Sequence, residues 1–130
     1  MTGEDAPEKV FTPKEANQTL PLVKQIVADI LTTGDRVRAL CAEIGTGAEE
    51  DKRVIRLMDQ LEELFVELDT LGCSYKDWNF QVGLVDFPAR IDGKDVFLCW
   101  KSDEDSLLYY HELEAGFNGR QPIPERYLKA

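Results

Sequence analysis

The stretch Ala89-Arg90-Ile91-Asp92-Gly93-Lys94-Asp95-Val96-Phe97-Leu98 decides how the second half of this chain folds. Asp-Gly between two apolar-rich runs is a strong short-range hairpin signal, because the two-residue turn that suits strand twist needs positive φ at both positions. The spacing predicts strands over about 82–90 and 95–101. A third strand over about 107–113 follows the polar turn Ser102-Asp103-Glu104-Asp105, read as a solvated turn. Pro88 falls in the first strand, and a residue without an N–H belongs at a sheet edge. A three-stranded antiparallel β-meander with 95–101 in the middle meets that condition.

A two-residue turn also sets the register: Ile91 faces Lys94, Phe87 faces Leu98 and Asp86 faces Cys99. Side chains alternate between faces. One face therefore carries Val85, Phe87, Ala89, Val96, Leu98 and Trp100, joined by Leu108 and Tyr110. The other carries Leu84, Asp86, Phe97, Cys99, Lys101, Tyr109 and His111, which is neither a core nor an ordinary solvent face. A slip of one residue would exchange the two sets.

N-terminal to this sheet the periodicity is helical. Phe11-Thr12-Pro13-Lys14-Glu15 opens a helix with a capping box from Thr12 to Glu15 and proline at the first position. Leu20, Val23, Val27, Ile30, Gly34, Val37, Cys41 and Ile44 then recur at steps of three and four, so a helix is expected over about 13–44. Pro21 predicts a kink or restart near 18–21. Val54, Leu57, Leu61, Leu64, Leu68 and Leu71 mark a second helix over about 51–72, ended by Gly72 in the left-handed conformation. Joined by the loop containing Gly45-Thr46-Gly47, the two make a long antiparallel helical hairpin with coiled-coil spacing. The expected fold is α+β, the hairpin packed on the small meander. Residues 1–10 read as a flexible acidic tail and 11–130 as a single domain.

The chain has 130 residues, with 15 Lys+Arg against 25 Asp+Glu and a net charge of −10. Phosphate binding draws on clustered cations, so nucleic acid and anionic membrane surfaces are excluded as partners. No run approaches the roughly 20 apolar residues of a membrane span, and acids stand where a signal peptide would carry its basic region. A cytoplasmic location is expected. Cys41, Cys73 and Cys99 form no CxxC and read as free thiols.

His111 is the only histidine, the side-chain type suited to moving protons in the physiological range, which makes it the candidate for proton transfer or metal ligation. Asp86 shares its face and can orient it, share its proton or serve with it as a metal ligand. Glu112 and Glu114 project the other way. Arg120 follows in the loop Ala115-Gly116-Phe117-Asn118-Gly119-Arg120-Gln121-Pro122, where Gly116 and Gly119 permit a reversal with positive φ. It either clamps a carboxylate or phosphate or pairs with Asp86, Glu112 or Glu114. The candidate catalytic set is thus Asp86, His111 and Arg120, with Cys99, Trp100 and Tyr109 as candidate ligand contacts. No Ser-His-Asp order, HExxH or phosphate loop is present.

The runs Gly83-Leu84-Val85-Asp86-Phe87-Pro88-Ala89, Val96-Phe97-Leu98-Cys99-Trp100 and His111-Glu112-Leu113-Glu114-Ala115-Gly116-Phe117-Asn118-Gly119-Arg120-Gln121-Pro122 resemble a bacterial family known as domain of unknown function 2203. Phe11-Thr12-Pro13-Lys14-Glu15-Ala16-Asn17 and Leu20-Pro21 resemble its start. The matching motif residues are Asp86, Trp100, His111, Gly116, Phe117, Gly119 and Arg120. The resemblance implies a bacterial, non-secreted, stand-alone small protein, and it implies no activity or cofactor.

Two functions remain open from the residues. The first is a non-catalytic interaction or assembly module, with a protein partner or a homodimer formed through the helical seams or the second sheet face and sensitive to charge at Leu61 or Tyr109. The second is a small-ligand, metal-binding or acid–base site around Asp86, His111 and Arg120.

Overall fold

The sheet has five antiparallel strands in sequence order rather than three. They are β1 (Ser74–Tyr75), β2 (Leu84–Ile91), β3 (Lys94–Lys101), β4 (Tyr109–Glu112) and β5 (Gln121–Pro122). The computed structural model describes residues 9–77 and 80–129, so the expected tail lies outside the described residues except for Lys9 and Val10, which form no element. The expected meander is the middle of this sheet, and its register is as the turn demanded: Ile91 opposite Lys94, Phe87 opposite Leu98, Asp86 opposite Cys99. Asp92 and Gly93 both take positive φ, 53° and 78°, as the two-residue turn requires. The turn is gripped from outside by α3 (Glu125–Leu128). The Asp92 N–H donates to the Tyr127 hydroxyl, which donates in turn to Asp92 Oδ1, and Arg126 pairs with the same carboxylate.

β2 is not the bare edge that Pro88 suggested. β1 covers it at Val85 and Asp86, and the Phe11 N–H donates to the Pro88 carbonyl at 2.7 Å beside a parallel bridge from Phe11 to Ala89. That carbonyl points away from β3, so the proline nitrogen does too, beyond the end of β1 where no ladder hydrogen bond is lost. β4 is shorter than expected. The chain turns before it, so Leu107 is fully buried and Leu108 is exposed, while Tyr110 alone joins the apolar face.

α1 (Pro13–Ile44) begins at the Thr12–Glu15 capping box, and α2 (Lys52–Leu71) ends on Gly72 at φ 99°. α1 runs unbroken through Pro21, contrary to the expected restart. Its first turns are fastened to the sheet side by Asn17, whose amide accepts from the Leu107 N–H and donates to the Leu107 carbonyl. That anchor ties the helix to the sheet beside the turn where Pro21 supplies no backbone N–H. Across the connection at 45–51 the two helices pack on one another and bury Leu20, Val23, Val27 and Ile30 of α1 with Val54, Leu61 and Leu68 of α2. Most of these meet Val85, Phe87, Leu98 and Trp100 from one sheet face in a continuous core. Approach is closest at Gly83, where a Cβ would stand 2.2 Å from Val27 Cγ1. Leu61 is thus a core residue and unavailable as an intermolecular contact. No helix among the described residues is long and apolar enough to cross a membrane.

The helices cover only one face of the sheet. On the other, the segment after β4 turns back over the strands through a single 3-10 turn at Phe117–Gly119. Gly116 takes φ 67°, whereas Gly119 does not take positive φ and is required because a Cβ there would meet the Ala115 Cβ at 2.6 Å.

Candidate functional site

Asp86, Cys99 and His111 come from the three central strands, β2, β3 and β4, and all point to the face away from the helices. Cys99, on the middle strand, has the shortest side chain. The longer Asp86 and His111 lean over it from either side until His111 Nε2 and Asp86 Oδ2 stand 3.1 Å apart. All three residues are buried. They floor a cavity of about 280 Å³ walled by Phe97, Leu113 and Phe117, with Lys76 at its border.

The imidazole is fixed by two acceptors. His111 Nδ1 lies 2.8 Å from the Glu112 carbonyl, which only accepts, so Nδ1 carries a proton. The other nitrogen faces a carboxyl that burial pushes above its ordinary range, opposed by the His111 imidazole and by Lys76. The contact then needs one further proton between Nε2 and Oδ2, on one atom or the other. Burial, with the nearby Asp86 charge, pushes the Cys99 thiol up to about 12, so without a metal it is a protonated donor rather than a nucleophile.

Only two of the three predicted catalytic residues meet. Arg120 reaches neither Asp86 nor His111. It donates to the Cys99 carbonyl at 3.2 Å and to Glu104 Oε1 at 2.8 Å, and its guanidinium lies over both Tyr109, 4.1 Å from the ring centroid, and Phe117, at 4.8 Å. Burial opposes its charge, yet the Glu104 carboxylate prevails and raises its pKa. Its partner is therefore Glu104 rather than Asp86, Glu112 or Glu114, and Glu112 pairs with Lys94. Glu104 is no solvated turn residue: it also accepts from the Lys101 N–H, and its carbonyl accepts from Trp100 Nε1. Trp100 sits in the core on the opposite face and lines no part of the cavity. Tyr109 lies half-buried beneath Arg120 and, like Trp100, lines no part of the cavity. Arg120 braces the outer wall of the cavity by holding Phe117 in place.

Sequence reasoning named Asp86 and His111 as metal ligands and counted Cys99 only as a ligand contact. The structure brings one donor atom from each of the three within 4.8 Å of one another. The pairing of Asp86 with Cys99 was the signal available for including it. A tetrahedral ion with bonds of about 2.0–2.3 Å sets its ligands roughly 3.2–3.8 Å apart, so a closure of up to about 1.6 Å along the longest separation suffices here. Thiolate, imidazole and carboxylate form a zinc-type donor set, and a backbone carbonyl holding the far imidazole N–H is the usual second support of a metal-bound histidine. Three protein ligands leave a fourth position, on the cavity side.

Fold and site together define an α+β protein whose small antiparallel sheet is packed by helices on one face and carries a buried Asp–Cys–His cluster under a cavity on the other. Residues 9–123 match the family described as "Uncharacterized conserved protein (DUF2203)", and the chain belongs to that family. No curated protein and no solved structure matches it.

Proposed function

We propose that this protein binds one divalent transition metal ion, of the zinc type, through Asp86 Oδ, Cys99 Sγ and His111 Nε2. The observation that carries the reading is the convergence of these three unlike donors with the histidine already oriented by the Glu112 carbonyl. A merely structural Asp–His pair has no need of a buried thiol beneath it. The fourth position, facing the cavity, would take water or a small ligand, and a metal lowers the pKa of a bound water toward neutrality. Binding displaces the Cys99 proton and the one shared between Asp86 and His111, so about two protons leave per ion.

Cobalt(II) titration of the metal-free protein tests this. The expected spectrum shows tetrahedral d–d bands and a thiolate-to-cobalt charge-transfer band that saturates at one ion per chain. Cys99→Ser should abolish the charge-transfer band. A spectrum matching aqueous cobalt, or a band unaffected by that substitution, would overturn the assignment.

A further inference from the structure

At about 100° of turn per residue, Ile55, Met58, Glu62 and Val66 of α2 share a stripe roughly a quarter turn round the helix from the buried Val54, Leu61 and Leu68. Ile55, Met58 and Val66 are large apolar residues at 45%, 50% and 54% exposure. An apolar hollow of about 560 Å³ beside Met58, lined in part by Val37, Cys41 and Phe65, widens this surface. One flank of the stripe is charged and polarised: Lys52 and Arg56 at its start, Glu63 and Glu67 further along, all exposed. None of these four takes part in an ion pair among the described residues.

We propose that this face of α2 is an interface with α2 of a second copy of the chain, packed antiparallel about a two-fold axis. The charge pattern specifies that occupant. Lys52 with Glu67 and Arg56 with Glu63 share one midpoint in the sequence, between Asp59 and Gln60. A two-fold axis there sets each cation against a carboxylate of the other copy, on the same flank of both helices. Ile55 and Val66 are centred within a residue of that point, so each packs against the other across the axis, and Met58 covers the stem of Glu62. Parallel pairing would set like charges together and is disfavoured. An isologous contact of this kind closes on itself and leaves no sticky surface. The proposal is independent of the metal reading, because α2 packs on the sheet face opposite the cavity.

Sedimentation equilibrium of the full chain over a roughly hundredfold concentration range tests it. The expected result is a reversible dimer, weakened by added salt. Met58→Glu should give a monomer with an unchanged circular dichroism spectrum. Arg56→Glu alters only an exposed residue and should weaken the dimer roughly tenfold. Combining it with Glu63→Arg should restore the dimer. A monomer at every concentration, including one that captures only a different protein, overturns the proposal. So does a dimer indifferent to Arg56→Glu, or a double variant no tighter than the single one.

Discussion

Replacing Asp86 by Asn separates a ligand from a structural residue, because the two roles predict opposite effects on stability. In the metal-free protein the buried carboxyl gains a charge-assisted hydrogen bond from His111, worth about 1.5–3 kcal/mol. Against this stands a desolvation penalty of several kcal/mol for each buried ion. Burial is the largest influence on this group, raising its pKa, so the penalty dominates. Asparagine has the same shape and donates its amide N–H to His111 Nε2, while Nδ1–H stays on the Glu112 carbonyl. Every polar atom of the imidazole keeps a partner, and the metal-free stability should change by no more than about 1 kcal/mol in either direction. Zinc affinity should behave differently. A neutral amide oxygen is a poor substitute for a carboxylate, and loss of a ligand should cost at least about 100-fold. At a zinc concentration about 1,000 times the dissociation constant, the parent protein gains about 4 kcal/mol, whereas the variant, then only about tenfold above its own constant, gains about 1.4 kcal/mol. Urea unfolding followed by circular dichroism, with a chelator and with zinc, measures all four values. A variant that loses about 3–5 kcal/mol in the chelator, as when a structural buried pair is broken, yet is stabilised by zinc as much as the parent, would refute the reasoning.

Other outcomes follow from particular contacts. Gly83→Ala places a methyl 2.2 Å from Val27 Cγ1 and should destabilise the fold by about 1–3 kcal/mol in chemical denaturation; an unchanged midpoint would mean that α1 and the sheet pack otherwise. Arg120→Ala removes the guanidinium between Tyr109 and Phe117 and leaves the Glu104 carboxylate unpaired, so amide exchange at 116–119 should accelerate and stability fall by about 1–3 kcal/mol; unaltered exchange there would count against the brace. A thiol reagent should label Cys41 in the native protein, and Cys73 and Cys99 only after unfolding. Burial raises the Cys73 pKa from 9.0 to about 12, so its contribution is whole below pH 9 and declines as pH rises toward 12, by roughly 1.4 kcal/mol per unit. Cys73→Ala should flatten that alkaline decline, and an unchanged slope would assign it to other groups.

The central hairpin was legible because two residues with a strong conformational demand, Asp92 and Gly93, fix every pairing from Ile91–Lys94 back to Leu84–Lys101. That register brought Asp86 and Cys99 to one face, and the pairing of β4 with β3, His111 opposite Phe97, added His111. β1 and β5 were not legible, since two residues carry no alternation, and the Phe11 bridge to Ala89 joins segments far apart in the chain. Leu108 was assigned to the apolar face, where Leu107 is the buried residue instead, because the meander was continued as regular strand through a position where the chain turns. Arg120's partner was missed for a related reason. Glu104 sits in a run that reads as solvated turn, and only the fold brings it beside the loop after β4. The helical seams were read correctly as apolar stripes, most of whose residues are spent within the chain, while Val37 and Cys41 stay half-buried beside the exposed stripe of α2, which shows only once the buried face is known.

Calorimetric titration of zinc into the metal-free protein decides whether Asp86, Cys99 and His111 hold an ion. One ion should bind per chain with release of about two protons, and the heat should be lost when Asp86, Cys99 and His111 are replaced together by Asn, Ser and Gln. Absence of stoichiometric binding, or binding that survives the triple replacement, would contradict it.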